Sequence, residues 1–428
     1  MDTVTEADMA ISMAQLGGIG IIHRFNTIEQ QVVEVRKVKR YRNAIIENPL
    51  TICPDATLDE AKKYMKNQGV TSILVVENDR LTGILTRRDY RFNPPGDSLV
   101  KDLMTGKEKL VVAKTKITIE EAKKIMLKHK IEKLPIINEN WGLIGLITGK
   151  DIHNKNKFPD ATVDKKDRLM VGAAIGVKQD SIKRTEALIK AGVDVIVIDI
   201  AHGHSDLAIE ILKKVKTKFP NIHVIAGNVA TSDGVKDLIK AGADCVKVGV
   251  GPGSACTTRI VTGSGYPQLS AIMNCAEEAD KFNIPIIADG GIRFPGDITK
   301  AIAAGASTVM LGSLLAGTDE SPGFPLIKNG KKFKVYRGMA SYGARLGRYA
   351  KQNNNENNVL DYTPEGVEAL VPYKGSVTEV IKQLLGGLRS GISYCGATSI
   401  LELRGKAQFV RITQAGVKES HPHDIRPI

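Results

Sequence analysis

The sequence predicts an α/β fold in which a (β/α)8 TIM barrel is interrupted by an inserted module, and two patterns support this prediction. Over residues 160–428, short apolar runs alternate with helical segments, an order typical of a parallel sheet covered by helices. Polar and glycine residues follow these runs at Asp199, Asn228, 249–259, 289–291 and 312–313. Such clustering at strand ends is expected at the active face of a barrel. An open doubly wound sheet is the alternative, but no G-x-G-x-x-G sequence opens a helix in this region.

Each barrel element is placed by its apolar pattern and its flanking residues. Strands are predicted at 19–22, 169–175, 195–199, 223–228, 245–248, 284–289 and 308–312. Helices are predicted at 7–16, 28–39, 181–191, 232–241 and 296–304. Because these strands are one too few to close an eight-stranded barrel, the first barrel strand is expected to lie before Met1, in a segment that this sequence lacks.

Residues 44–152 contain an internal repeat. The segment 57–65 recurs as 118–126, and the segment 81–89 recurs as 143–151. Each copy predicts a strand, a helix opened by a threonine cap, and two further strands. Two such copies can bury each other's apolar faces, so the repeat is expected to form a module of its own.

The repeat sets the predicted domain boundaries. Residues 1–40 would form the first part of the catalytic barrel. Residues 41–158 would form the tandem module, with its two copies at about 44–98 and 103–157. Residues 159–428 would complete the barrel.

Composition narrows the classes of function. The chain has 428 residues, 42% of them hydrophobic, and a net charge of +13. Its basic residues lie mostly on helical faces without interleaved aromatic residues, which argues against nucleic-acid binding and leaves a general attraction for anionic nucleotides. No apolar run approaches the roughly 20 residues that cross a bilayer, so no membrane association is predicted. Five scattered cysteines indicate reduced thiols and therefore a cytoplasmic protein.

The candidate nucleophile is Cys256, in a glycine-rich loop that follows the predicted strand 245–248. Glycines and a proline within 249–253 exclude regular structure and let the backbone approach a ligand closely. A thiol among backbone N–H groups, with Arg259 nearby, can have a lowered pKa and act as a thiolate nucleophile. A glycine-rich turn with an incidental cysteine is the alternative.

The segments around these features together resemble the IMP dehydrogenase family. They are 1–6, 199–205, 227–231, 253–259, 288–292, 310–317, 336–339 and 386–391, which span nearly the whole chain. The repeat resembles a pair of cystathionine-β-synthase (CBS) motifs, which implies purine nucleotides as ligands there. The family resemblance implies NAD-dependent oxidation of IMP to XMP in guanine nucleotide synthesis. Cys256 would attack C2 of IMP, a hydride would leave to NAD⁺, and water would hydrolyse the covalent adduct.

The resemblance also implies the ligand contacts. The 5′-phosphate of IMP would meet backbone N–H and hydroxyl groups of Ser254, Gly291, Gly312, Ser313 and Tyr336. The ribose would meet Asp289, and the purine would meet Met339 and Glu365. The residues on the NAD side would be Asp199, Asn228, Gly249 and Gly251.

A mobile flap, at about residues 337–372, is implied for the hydrolysis step. Arg348 and Tyr349 would form its catalytic pair after NADH leaves, and Thr258 would relay a proton. The flap is several residues shorter than is usual in the family, and Ala340 stands where the family has glycine.

The resemblance further implies a potassium ion and a homotetramer. The carbonyl groups of Gly251, Gly253 and Cys256 would hold K⁺. Glu419, Ser420 and His421 of a neighbouring subunit would complete the site.

Two alternative functions compete with this interpretation. GMP reductase shares the cysteine loop, and residues 263–270 of this chain also resemble that enzyme. GMP reductase generally lacks the CBS insert and the Arg-Tyr pair, however. A nucleotide-binding relative without activity is the other alternative, because of the strand that the sequence lacks.

Overall fold

The computed structural model describes residues 1–42, 45–47, 49–91, 98–115, 117–149, 152, 157–352 and 363–425. These residues form two compact units. Unit 1 contains the described residues of 1–9, 21–31 and 172–428, and unit 2 contains those of 10–20 and 32–171. The boundaries at residues 40 and 158 stay predictions.

Strands occur along the whole of the described chain. In chain order they are β1 (Gly20–Ile22), β2 (Thr51–Ile52), β3 (Ser72–Glu77), β4 (Arg80–Thr86), β5 (Thr105–Gly106), β6 (Ala113–Lys114), β7 (Lys133–Ile137), β8 (Leu143–Thr148), β9 (Val171–Ile175), β10 (Val195–Asp199), β11 (His223–Val229), β12 (Cys245–Val248), β13 (Ile286–Asp289), β14 (Thr308–Met310), β15 (Leu326–Lys328), β16 (Lys331–Arg337) and β17 (Glu368–Pro372).

The α-helices of the described residues follow the same order. They are α1 (Ala7–Gln15), α2 (Ile28–Tyr41), α3 (Leu58–Gln68), α4 (Arg87–Tyr90), α5 (Val100–Leu103), α6 (Ile119–His129), α7 (Ser181–Lys190), α8 (Asp206–Lys218), α9 (Ser232–Lys240), α10 (Thr258–Thr262), α11 (Gln268–Asp280), α12 (Pro295–Ala303), α13 (Tyr342–Gln352), α14 (Val377–Tyr394), α15 (Ile400–Lys406) and α16 (Gln414–Glu419). Within the ranges that the structure describes, no helix combines the length and apolar character needed to cross a bilayer.

A seven-stranded sheet organises the barrel region in the order β1-β9-β10-β11-β12-β13-β14. Each pair from β9 to β14 is parallel, with Val195 of β10 opposite Gly172 on one side and His223 on the other. Neighbouring strands thus follow one another along the chain with helices between them, which is consistent with a TIM barrel. All seven predicted strands are confirmed, with end positions that differ by at most two residues.

The helix α9 between β11 and β12 is amphipathic and opens with a threonine cap. In α9, Thr231 accepts a hydrogen bond from the backbone of Gly234, and Val235 and Leu238 are buried on one face. A threonine cap satisfies one of the N–H groups that the first turn of a helix leaves unpaired. The predicted helices at 181–191, 232–241 and 296–304 are therefore confirmed as α7, α9 and α12.

The repeat in unit 2 has the predicted order of elements. The first copy runs β2-α3-β3-β4 and the second runs β6-α6-β7-β8. Thr57 and Thr118 open the two helices, each in a reciprocal capping box with a glutamate three residues on. A shared cluster of Leu74, Leu81, Ile84, Ile137 and Leu146 joins the copies into one core.

Candidate active site

The loop after β12 requires glycine at its first position. Gly249 has φ +152°, and a side chain there would collide with the backbone carbonyl of Asp289 at the end of β13. Only a residue without a Cβ fits such a close approach. The ends of β12 and β13 therefore lie together, and the cysteine loop begins between them.

A chain of hydrogen bonds links Cys256 to a carboxylate. The Sγ of Cys256 donates to Oγ1 of Thr258 at 3.2 Å, and that hydroxyl donates to Oε2 of Glu365 at 2.8 Å. Backbone bonds fix this geometry, since Thr257 N donates to Glu365 O at 2.9 Å and Val367 N donates to Ala255 O at 3.0 Å. A proton leaving the thiol, or a water beside it, thus has a path to a carboxylate.

Glu365 contacts Thr258 in the structure, in addition to its predicted contact with the purine. The resemblance assigns Glu365 to the purine, whereas the structure brings its carboxylate to Thr258. Met339, the other predicted purine contact, follows Gly338, whose N–H donates to Val367 O at 3.0 Å. The segment that carries Met339 therefore lies along the strand-like stretch that also carries Glu365.

Four of the predicted phosphate-binding residues come together around one phenol. Tyr336 Oη lies 3.1 Å from Ser254 Oγ, and the Ser313 side chain lies close enough to the phenol to influence its pKa. A Cβ built on Gly312 would lie 3.6 Å from the same phenol oxygen. Burial raises the pKa of Tyr336, so its hydroxyl stays protonated and can donate to an anion.

Gly291, the fifth predicted phosphate residue, follows β13 in the left-handed region with φ +81°. A Cβ at this position would lie 3.6 Å from the Cβ of Pro252 in the cysteine loop. The turn at 289–291 is thereby placed against the loop that carries Ser254. Hydroxyl groups and turn backbone of this kind suit a phosphate dianion.

A buried lysine that the sequence analysis did not single out organises the strand ends. Lys247 of β12 is 1% exposed, and its Nζ donates to Asp289 Oδ2 at 2.6 Å and to Asp199 Oδ1 at 3.0 Å. It also donates to Asn228 Oδ1, while Asn228 Nδ2 donates to Asp289 Oδ2 at 3.0 Å. Two residues predicted for NAD and one predicted for ribose therefore share one ammonium group.

The charges in this cluster are mutually stabilised. Burial opposes the charge of Asp199, but Lys247 and Arg24 outweigh it and lower the pKa of this carboxyl to about 2. Burial likewise opposes the charge of Lys247, but the carboxylates of Asp199 and Asp289 raise its pKa. Both carboxylate side chains keep part of their surface open, 34% for Asp199 and 25% for Asp289, so ligand hydroxyls can reach them.

The predicted flap pair lies on a helix. Arg348 and Tyr349 belong to α13, and the Arg348 guanidinium lies 5.5 Å from the ring centroid of Phe25. Burial and the neighbouring charge of Arg24 lower the pKa of Arg348. Tyr349 Oη accepts from Arg345 at 3.3 Å, and this bond lowers its pKa. The role of the pair in hydrolysis stays a prediction, and residues 353–362 of the predicted flap lie outside the described residues.

The predicted potassium ligands divide into two groups. Gly251, Gly253 and Cys256 share one loop, where Cys256 N donates to Gly253 O at 3.0 Å. Glu419, Ser420 and His421 lie at the end of α16 and just beyond it, where the His421 ring meets Phe294 edge-on with centroids 6.5 Å apart. Among the described residues, no group of three His, Cys, Asp or Glu side chains could hold a metal ion, so a cation here would depend on carbonyl oxygens.

Comparisons with known proteins cover the whole of this chain. The family described as "IMP dehydrogenase / GMP reductase domain" matches residues 1–423. Inosine-5'-monophosphate dehydrogenase of Nitrosopumilus maritimus is 53% identical over 429 residues, covering 99% of this chain and 90% of the relative. That of Bacillus subtilis is 51% identical over 433 residues, covering 100% of this chain and 88% of the relative.

GMP reductases match as well. The protein of that name from Leishmania major is 50% identical over 436 residues, covering 99% of this chain and 88% of the relative. The crystal structure of a Trypanosoma brucei GMP reductase in complex with guanosine 5'-monophosphate has a TM-score of 0.93 and 46% identity, and the match covers 100% of this chain and 89% of that one. These reductases match across the repeat, so the presence of the repeat does not by itself decide between the two activities.

Proposed function

The chain belongs to the family of IMP dehydrogenases and GMP reductases, and we propose that it oxidises IMP to XMP with NAD⁺. The observation that carries the proposal is the hydrogen-bonded series Cys256–Thr258–Glu365 next to the hydroxyl cluster around Tyr336. Such a site offers a thiol, a proton path and an anion-binding surface to one nucleotide. Several relatives at 50–53% identity carry the name inosine-5'-monophosphate dehydrogenase, which favours IMP as the substrate.

In the proposed Michaelis complex, the nucleotide is anchored at both ends. Ser254, Ser313 and Tyr336 would donate hydroxyl hydrogen bonds to the 5′-phosphate, with the turns at Gly291 and Gly312 adding N–H groups. Asp289, whose Oδ2 accepts from Lys247 Nζ at 2.6 Å, would accept from the ribose hydroxyls. The purine would then lie over the cysteine loop, where Met339 and Glu365 border it.

Two steps follow from this placement. The Cys256 thiolate would form a bond to C2 of the purine, and the hydride displaced from C2 would be accepted by NAD⁺. Water would then add to C2 of the adduct and break the C–S bond, which releases XMP and restores the thiol. Thr258 would take the proton from that water and pass its own to Glu365, and Arg348 would assist if α13 brings it to the site.

The chain's own residues fit the cofactor and the cation. Asp199 and Asn228 lie at neighbouring strand ends with a partly open carboxylate, as a ribose of NAD requires, and Gly249 and Gly251 leave room for close approach. The carbonyls of Gly251, Gly253 and Cys256 are the hard oxygen donors that K⁺ prefers. The free cysteines support a cytoplasmic protein. The family resemblance implies a homotetramer, in which a neighbouring subunit would add Glu419, Ser420 and His421.

GMP reductase is the second candidate function. The reductases of Leishmania major and Trypanosoma brucei match this chain end to end, and a reductase would use the same thiol at C2. The assay that separates the two supplies IMP with NAD⁺ in one series and GMP with NADPH in another. Turnover of IMP alone supports our proposal, and turnover of GMP alone replaces it with the reductase.

Glu365→Gln is expected to slow steady-state XMP formation by about 10²-fold, because glutamine keeps the hydrogen bond from Thr258 but cannot take a proton. The first turnover of NADH should persist, since the thiol is unchanged, and the covalent adduct should accumulate. Rapid-quench measurement of NADH and of the adduct checks both expectations.

Glu379→Gln is the matched control, since Glu379 is an exposed glutamate on α14. Its steady-state rate should stay within about twofold of the unsubstituted protein. If Glu365→Gln reaches the unsubstituted rate without accumulating adduct, the proton path through Thr258 is excluded.

The proposal extends to the repeat in unit 2, where purine nucleotides would bind as regulators. A cavity of about 210 Å³ opens between residues 45–47 and the second copy. Its lining residues are Ile45, Glu47, Thr115, Ile117, Ile136 and Ile144. Apolar walls with a few polar groups suit a purine ring carrying a ribose.

Ile144→Glu is expected to weaken binding of ATP or GTP to this cavity at least tenfold, because a carboxylate on the cavity wall repels the phosphates of the nucleotide. Ile144→Leu keeps the wall apolar and should bind like the unsubstituted protein. Calorimetric titration with each nucleotide measures the effect. Equal affinity in the glutamate and leucine variants would place the nucleotide elsewhere.

A further inference from the structure

Lys374 donates hydrogen bonds to the backbone of the turn that begins at Gly312. Nζ of Lys374 donates to the carbonyl of Ser313 at 3.0 Å and to that of Leu314 at 2.9 Å. The backbone N–H of the same lysine donates to Gly317 O at 2.9 Å. Lys374 thus satisfies three acceptors within one short segment of chain.

The shape of this segment explains why its carbonyls need an outside donor. Leu315 N and Ala316 N both donate to Gly312 O, at 3.0 and 3.1 Å, which makes a single helical turn. Gly317 then enters the left-handed region with φ +84° and ends that turn. Carbonyls at the end of a helical turn have no partner further along it, so the ammonium group supplies one.

A second lysine, Lys334, donates hydrogen bonds to the chain just after this turn. Lys334 is 3% exposed, and its Nζ donates to Thr318 O at 2.8 Å and to Ser321 O at 2.7 Å. Lys334 and Tyr336 lie two apart on β16, so their side chains leave the same face of the strand. The strand face that holds this segment therefore also presents the phenol of Tyr336, which lies 3.1 Å from Ser254 Oγ.

We infer that Lys374 is a positioning residue for the 5′-phosphate of the nucleotide. In a planar trans peptide the N–H points opposite to the carbonyl. The bond to the Ser313 carbonyl therefore fixes the direction of the Leu314 N–H in the same peptide. The ammonium lies on the carbonyl side, whereas Ser254, Ser313 and Tyr336 gather their hydroxyls at the predicted phosphate site. Lys374 touches the turn and not the phosphate, and Lys334 sets the distance between the turn and Tyr336.

The inference rests on the proposed nucleotide site, and the test separates the two. Lys374 is an exposed residue, so Lys374→Met removes the ammonium group without opening a buried cavity. Equilibrium binding is measured for IMP and inosine, and for GMP and guanosine, because these pairs differ only in the phosphate. Binding needs no turnover, so it reports on the turn whichever reaction the protein catalyses.

Lys374→Met should weaken IMP and GMP about tenfold, a change that corresponds to about 1.4 kcal/mol. The affinities for inosine and guanosine should change by less than twofold, because neither contacts the turn. In the assay with turnover, KM for the nucleotide should rise while kcat stays within about threefold. Lys374→Arg restores two donors and should recover most of the nucleotide affinity.

Lys382→Met, at an exposed lysine of α14, is the control and should bind all four ligands normally. Equal weakening of nucleotides and nucleosides by Lys374→Met would overturn the inference, because it would show general loosening. Unchanged nucleotide binding, or an arginine variant as weak as the methionine variant, would overturn it too. Normal nucleotide binding by the unsubstituted protein without turnover would remove the proposed reaction and leave the inference standing.

Discussion

Cys256→Ser is expected to lower the rate of XMP formation by roughly 10⁵-fold or more, the scale on which enzymes lose activity with their covalent nucleophile. Serine has nearly the same size and can keep the hydrogen bond to Thr258, so folding and ligand binding should persist. What the substitution removes is a group that ionises readily and attacks an electron-poor carbon. Initial rates with IMP and NAD⁺ measure the loss.

Mass spectrometry gives the same prediction a second measurement. The unsubstituted protein, quenched during turnover, should carry a nucleotide-sized mass on the peptide that contains Cys256, and the serine variant should not. Cys53→Ser is the matched control, because Cys53 is exposed and lies in unit 2. A serine variant at position 256 that still forms XMP at the normal rate would exclude covalent catalysis.

Lys247→Met is expected to lower the free energy of unfolding by about 2–4 kcal/mol, because it removes a buried cation from two carboxylates that solvent screens only in part, at 34% and 25% exposed. Methionine retains most of the side-chain length, so the loss comes from charge and hydrogen bonding. Asp199 and Asp289 would then repel each other, and ligand binding should fail with them. Urea unfolding measures the change in stability.

The pH dependence of this effect has a definite sign. In the unsubstituted protein the pKa of Asp199 is lowered from 3.8 to about 2, so its charge stabilises the fold above about pH 4 and that contribution is lost as the pH falls toward 2. Protonation would relieve the unpaired carboxylates of the methionine variant. The difference in stability between the two proteins should therefore be largest at neutral pH and shrink near pH 3.

Lys216→Met supplies the comparison for that measurement. Lys216 pairs with Asp244 at 2.9 Å, but the Lys216 side chain is 21% exposed, whereas that of Lys247 is 2% exposed. Such a pair contributes about 0–1 kcal/mol. If Lys247→Met and Lys216→Met lower the free energy of unfolding equally, the cluster around Lys247 contributes no more to stability than a partly exposed ion pair.

The strands could be predicted because burial on both faces of a strand produces a short, recognisable run of apolar residues. A strand covered on both faces is mostly apolar, so β9, β10 and β13 are visible as short runs between helices. The threonine caps of the repeat are equally local, since the cap and its glutamate lie three residues apart. Neither feature depends on distant parts of the chain.

The chemical partnerships were harder to predict, because they join residues far apart in sequence. Lys247 meets Asp289 across 42 residues and Asp199 across 48, and Thr258 meets Glu365 across 107. No local pattern specifies such pairs. The available signal was a charged residue inside the apolar run of β12, which is uncommon unless a counter-charge is buried with it.

The position of Arg348 shows another limit of pattern. Sequence order places an arginine and a tyrosine on the segment between β16 and β17, but it does not say which way a helix there turns them. The structure puts both on α13, with Arg348 over Phe25. Side-chain direction on a helix depends on its packing, which residue spacing alone does not define.

The shared ammonium group of Lys247 limits how this protein can be redesigned. Under the proposed assignment of Asp199 to the dinucleotide and Asp289 to the substrate, replacing Asp199 also alters the charge balance around Asn228 and Asp289. Successful variants should keep two anions for that one cation, so substitutions at these strand ends have to be chosen as a set.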